Sequence, residues 1–244
     1  MTVEYRKEGS GPAFVYVCGI EGTGRLFYKQ AADLARDHTV VSFALRGEGR
    51  YALPRLVEDL TWVLREVGGG PATVLGESFG GLLTLATALE RPELFGRMIL
   101  VNTFPHFRQR AKIHLGCALF GAFYPMMKAH RTRAARTVLF SPDVPEEDRQ
   151  IFRQHTRVVP RDGYVSRMRI IRDTDLRPRL GEIDVPALVV AGTADRLLDS
   201  VSAARLMAEK LPRARLKLLE GTGHVALLSE RVRVREWLDE FDGL

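Results

Sequence analysis

A doubly wound, mostly parallel α/β sheet with a helical insertion late in the chain is predicted by three observations. Short apolar runs alternate with amphipathic helical stretches along most of the chain. A serine framed by glycines, Gly76-Glu77-Ser78-Phe79-Gly80, stands where one such run gives way to a helix. The alternation then lapses from Phe104 to Leu180, where helical patterns are broken at Pro125, Pro142, Pro145 and Pro160.

In chain order, strands are expected near Ala13 to Val17, Val40 to Leu45, Ala72 to Leu75, Arg97 to Val101, Ala187 to Ala191 and Arg215 to Leu219. These are apolar runs of strand length, as a sheet covered on both faces requires. Helices are expected near Arg25 to Arg36, Pro54 to Val67, Gly80 to Leu89, Ser200 to Leu211 and His224 to Phe241. Gly11-Pro12 suggests a first hairpin between Val3 to Lys7 and the strand at Ala13. The division that follows is a core of residues 1–103 and 181–244, with 104–180 as an inserted helical region.

Length and composition fit one globular domain. A chain of 244 residues can bury roughly three quarters of its unfolded surface in a single core. With 45% hydrophobic and 27% charged residues it reads as an ordinary water-soluble domain. Met1 to Ser10 is polar and charged, so no secretory signal is visible and the expected compartment is the cytoplasm. Cys18 and Cys117 lie in unrelated segments and suggest neither a disulfide framework nor a zinc site. The first half of the insertion, Ile113 to Tyr124, is strongly apolar, yet Pro125 interrupts it before it could span a bilayer.

The chemistry-bearing residues sit at strand carboxyl ends, where a doubly wound sheet keeps its ligand crevice. At the Ser78 corner, the glycines relieve crowding that Cβ atoms would create, and the hydroxyl projects beside the positive end of the following helix. A free serine is a weak nucleophile and needs a base with an orienting acid. Of six histidines, only His224, in Gly221-Thr222-Gly223-His224, follows a strand end and precedes a final helical stretch. Asp195, in Gly192-Thr193-Ala194-Asp195, directly follows the strongest strand signal; Asp199, near the start of the next helix, is the runner-up.

With the order Ser, Asp, His, these motifs resemble the α/β-hydrolase superfamily over nearly the whole chain. Arg46-Gly47-Glu48-Gly49-Arg50 is similar to the family's Arg-Gly-x-Gly turn, and Met98-Ile99-Leu100-Val101-Asn102 to the strand before its insertion. The resemblance implies a Ser78-His224-Asp195 triad, with an oxyanion held by the backbone N–H groups of Ile20 and Phe79. It also implies that no metal or cofactor is needed. Cys18-Gly19 stands where many relatives carry His-Gly, and the acidic Glu21 lies close to a developing negative charge. The loop Gly19 to Gly24 resembles that of some esterase and thioesterase branches. The implied reaction is hydrolysis of a carboxylic ester or thioester through an acyl-enzyme. Acyl transfer to an alcohol and peptide or carbon–carbon bond hydrolysis with the same triad remain open, as does a slow or non-catalytic small-molecule binder on the same fold.

The insertion, residues 104–180, resembles the helical lid that closes over the active site in this superfamily, and two of its features bear on substrate. Leu119, Phe120, Phe123, Met126 and Met127 would either pack a lid helix onto the body or line an acyl pocket. From Phe104 to Leu180 there are sixteen Arg or Lys against seven Asp or Glu, so the remainder of a +6 chain is net negative. A solvated arginine-rich surface accounts for this; so does attraction of an anionic substrate such as an acyl-coenzyme A, an acyl carrier protein or an anionic lipid headgroup. No nucleic-acid recognition motif accompanies the charge.

Overall fold

The computed structural model describes residues 3–67, 70–107, 138–157 and 160–241. Its centre is a seven-stranded sheet formed by β1 (Tyr5–Glu8), β2 (Ala13–Val17), β3 (Thr39–Phe43), β4 (Ala72–Glu77), β5 (Phe95–Val101), β6 (Ala187–Gly192) and β7 (Ala214–Leu219). The spatial order is β1-β3-β2-β4-β5-β6-β7, and every pairing is parallel except β1 with β3. The inner strands are apolar almost throughout because helices cover both faces, and β4 and β6 are buried at every position.

The amino-terminal pairing differs from the expected hairpin. β1 lies antiparallel to β3, with Tyr5 opposite Phe43 and Glu8 opposite Val40, and does not touch β2 as a partner. The linker crosses over the start of β3 instead of reversing tightly: Thr39 N–H donates to Pro12 O at 3.0 Å and Thr39 Oγ1 to Gly11 O at 2.9 Å. Gly11 has φ +122° and its absent Cβ would lie 2.1 Å from Asp37 O, so close passage over the neighbouring turn demands glycine.

Helices α1 (Tyr28–Leu34), α2 (Leu53–Val67), α3 (Phe79–Glu90), α4 (Glu146–Arg157), α5 (Arg161–Asp173) and α6 (Ser200–Lys210) complete the described framework. Helix α2 packs on α3, and α6 on β6 and β7. The carboxyl-terminal stretch is not the continuous helix expected from His224 to Phe241. It forms two 3-10 segments, Ala226–Leu228 and Val234–Phe241. Buried Gln30 on α1 explains the break: its Nε2 donates to Leu227 O and Val232 O, and its Oε1 accepts from Val234 N–H. Those backbone groups are therefore engaged across the domain instead of along a helix.

Between β5 and β6 the described residues form α4, α5 and the 3-10 segment Arg177–Glu182, with one isolated antiparallel bridge from His106 to Asp175. Leu119, Phe120, Phe123, Met126 and Met127, together with Cys117, His114 and His130, lie outside the described residues. Among the described residues no helix is long and apolar enough to cross a membrane.

Candidate active site

Strand order reverses between β2 and β4: the chain runs from β2 to β3 on one side and continues through β4 to β7 on the other. Loops at the carboxyl ends of these two strands therefore diverge and leave a crevice between them. Ser78 follows β4 and caps α3, and the loop from Cys18 to Gly24 follows β2.

Ser78 has φ 54° and ψ −119°, a conformation that non-glycine residues seldom adopt. The surroundings leave it little alternative. Its N–H donates to Val101 O at 2.9 Å, while its carbonyl accepts from Thr103 Oγ1 at 2.6 Å and Gly81 N–H at 3.0 Å. A Cβ on Gly80 would sit 2.0 Å from Val17 O, and one on Gly76 would sit 2.7 Å from Gly81 Cα. Backbone thus meets backbone on both sides of the serine, and only glycine fits.

The three side chains singled out by sequence meet at this rim. His224 Nε2 lies 3.1 Å from Ser78 Oγ, and His224 Nδ1 lies 2.7 Å from Asp195 Oδ2. The side chains of His224 and Asp195 are 7% and 1% exposed, so this link is shielded from water. Asp195 Oδ1 accepts from Leu197 N–H at 2.8 Å and Leu198 N–H at 3.1 Å, and Oδ2 also accepts from Ser200 Oγ. Burial works to raise its pKa, but the hydrogen bond and charge of His224, with the Ser200 and Leu198 donors, outweigh burial and hold it below the ordinary value. Asp195 is thereby kept as an acceptor-only carboxylate facing the imidazole. Asp199 instead caps α6, accepting from Ser202 N–H. His38 pairs with Asp37, His106 lies near Asp175, and His155 is on α4.

Sequence reasoning gave no role to Asn102, which stitches this rim together. At φ 44° just after β5, it is fully buried; its Nδ2 donates to Gly223 O at 3.0 Å and His224 O at 2.7 Å, and its Oδ1 accepts from Gly192 N–H at 2.8 Å. One amide side chain therefore ties the histidine loop to the strand end that leads into Asp195. An asparagine closing an apolar strand was its only sequence signal.

The loop after β2 lies against the serine from the other side. The Cβ position of Gly19 is 3.6 Å from Ser78 Cβ and 2.8 Å from Glu21 Oε2. Gly22 N–H donates to Gly19 O at 3.0 Å, closing a turn that contains Ile20. Phe79, the first residue of α3, is fully buried. Beneath the serine, Tyr16 Oη donates to Glu77 Oε2 at 2.7 Å. Burial, then the negative charge of Glu21, push the Glu77 carboxyl up to about 7, against the opposing pull of the Tyr16 hydrogen bond and of His224. Glu77 was the variable position of the serine motif, and its burial could not be read there.

The family model for the alpha/beta hydrolase fold matches residues 12–230. The "Putative carbamate hydrolase RutD" of Pseudomonas savastanoi pv. phaseolicola is 28% identical over 262 residues, covering 96% of this chain and 95% of that protein. Among solved structures, an esterase from Exiguobacterium antarcticum superposes with TM-score 0.87 at 23% identity, covering 98% of this chain and 94% of its own. The enol-lactonase from Burkholderia xenovorans LB400 superposes with TM-score 0.84 at 22% identity, covering 99% and 96%.

Proposed function

The chain belongs to the alpha/beta hydrolase family, and from that premise we propose that it is a serine hydrolase cleaving a carboxylic ester or thioester through an acyl-enzyme. Family membership and the relatives support hydrolase chemistry in general. The observation that carries the narrower reading is the unbroken relay from Asp195 through His224 to the strained Ser78.

In this reading Ser78 Oγ attacks the acyl carbon while His224 Nε2 takes its proton. Asp195 fixes the imidazole with Nδ1–H toward the carboxylate, which leaves Nε2 free to accept, and it stabilises the imidazolium that forms. The Ile20 and Phe79 amides hold the negative oxygen of the tetrahedral intermediate. Collapse breaks the acyl–oxygen or acyl–sulfur bond, and the imidazolium proton goes to the leaving alcohol or thiol. His224 then deprotonates a water, which attacks the acyl-enzyme; the acid departs and Ser78 regains its proton. Residues 104–180 act as a lid over this rim, and their basic surplus favours an anionic substrate such as an acyl-coenzyme A or a carrier-bound acyl group.

The carbamate named for the relative spanning nearly the same length would follow the same steps through a carbamoyl-enzyme. A panel of acyl esters, acyl-coenzyme A thioesters and carbamates, run at low and high salt, separates these substrates. Labelling by a fluorophosphonate should disappear in Ser78→Ala; labelling that persists removes Ser78 from the mechanism, and saturable ligand binding with no turnover of any panel member would favour a binder.

A further inference from the structure

Arg167 is the largest fully buried side chain of the described residues, 1% exposed, and it comes from α5 in the insertion. A guanidinium has five N–H donors and no acceptor. Here they are spent mainly on backbone of the core: Nε donates to Ile20 O at 2.8 Å, Nη1 to Arg46 O and to Tyr51 Oη at 2.9 Å each, and Nη2 reaches Glu21 O at 3.5 Å. Gly22 forms the seat of the group, since a Cβ there would lie 2.8 Å from the guanidinium carbon. The arginine is itself held firmly. Gly163 N–H donates to Gly47 O at 2.8 Å, a Cβ on Gly163 would lie 2.6 Å from Arg46 O, and Tyr51 Oη contacts both Arg46 O and Gly163 O.

We propose that Arg167 is a positioning residue that sets the aim of the Ile20 N–H from the insertion side of the molecule; this rests on the reading of that amide as an oxyanion donor. In a trans peptide, C=O and N–H point in opposite directions. The Gly19–Ile20 peptide is fixed at its oxygen by Gly22 N–H, so its N–H, that of Ile20, points out of the turn. The next peptide, Ile20–Glu21, is fixed at its oxygen by Arg167 Nε. With consecutive planes pinned, the backbone dihedrals of Ile20 have little freedom, and a donor aimed in advance avoids reorganisation as charge develops. An apolar side chain would fill the same space at a smaller desolvation cost, but it would leave Ile20 O without its donor and Arg46 O with Tyr51 Oη alone.

The test compares Arg167→Met and Arg167→Lys with Val63→Ala, a core truncation on α2 at a residue that makes no part of the described site, all assayed well below their unfolding temperatures. For Arg167→Met we expect kcat on an ester to fall by about 30- to 300-fold, with KM changed by no more than about threefold. Arg167→Lys should lie between, and carries the same readout if Arg167→Met fails to fold. Val63→Ala should lower the unfolding temperature yet keep kcat within about twofold of wild type. Affinity for a trifluoromethyl ketone, which binds as an oxyanion, should fall in parallel with kcat. Amide exchange at Ile20 to Gly22 should quicken in both Arg167 variants. Unchanged kcat in a folded Arg167 variant overturns the proposal. If wild type turns over no ester, the reading as an esterase fails by itself, and unchanged exchange at Ile20 to Gly22 then overturns the role of Arg167 independently.

Discussion

The two halves of the site are held in different ways. The serine, histidine and aspartate stand just past the ends of strands in one continuous sheet, and bonds from those strand ends and the adjoining loops fix them: Ser78 N–H to Val101 O, Asn102 to the histidine loop and Gly192, and Leu197, Leu198 and Ser200 to Asp195. The loop from Cys18 to Gly24 also leaves the sheet, but its Ile20 carbonyl is anchored by a side chain 147 positions later in the chain, on a helix of the insertion. The nucleophilic half is thus held within the core. The proposed oxyanion half is held only as well as α5 is docked. On the proposed reading of residues 104–180 as a lid, the same insertion that covers the site would also aim a donor for the transition state.

The widest break between the halves would come from the relay itself. Ser78→Ala and His224→Ala should each lower kcat by about 10⁴- to 10⁶-fold, and the double variant should lose little more, because members of one relay act as a unit. Steady-state hydrolysis of an activated ester measures this, and additive losses would show that the two do not work together. Gly80→Ala should come next: with 2.0 Å available to Val17 O the backbone must move, and we expect at least about 3 kcal/mol of destabilisation with loss of activity. A variant that unfolds like wild type would show that α3 does not need that approach.

Asn102→Ala sharpens the comparison inside the nucleophilic half. It leaves Gly223 O, His224 O and Gly192 N–H without their buried partner, at about 1–3 kcal/mol for each group left unsatisfied. Thermal unfolding should register the loss, and kcat should drop by about 10- to 100-fold as His224 drifts, while KM stays near its original value. Equal kcat would mean that the histidine is held by its hydrogen bond to Asp195 alone.

The smallest effect expected is on pH dependence, through Glu77. Its carboxyl is raised in the folded chain to about 7 from an ordinary 4.5, so between those values the folded state holds a proton that the unfolded state has released. Stability must therefore fall as pH rises through that window and level off above it, by an amount on the order of 3 kcal/mol. The charged or titratable groups facing it are Tyr16, Glu21 and His224. Glu77→Gln, which can still accept from Tyr16 Oη, should match wild type near pH 4.5, exceed it at pH 8 and flatten the profile. Chemical denaturation from pH 4.5 to 8.5 provides the check, and a wild-type curve without slope in that window contradicts it.

Most of the nucleophilic half was legible because its signals are local. Gly76, Ser78 and Gly80 betray a sharp corner within five residues, and Gly192 to Asp195 and Gly221 to His224 each follow an apolar run. The central strands were legible for the same reason, since burial on both faces leaves continuous hydrophobic runs. Arg167 was hidden among sixteen basic residues of the insertion. Its one hint was a charge at helical spacing between Tyr164 and Ile171, on the apolar side of α5.

What the sequence determined by itself is thus the set of corners and the residue type placed at each, because steric demands on glycine and the periodicity of burial act over a few residues. Tertiary structure alone decided that β1 pairs with β3 instead of β2, that Gln30 interrupts the final helix, that Glu77 is forced toward neutrality, and which carbonyls Arg167 meets. Each of those depends on how desolvated polar groups distant in the chain find partners. That choice is made by the packing of the whole domain, since a buried donor, acceptor or charge takes its energy from whatever faces it and not from its neighbours in sequence.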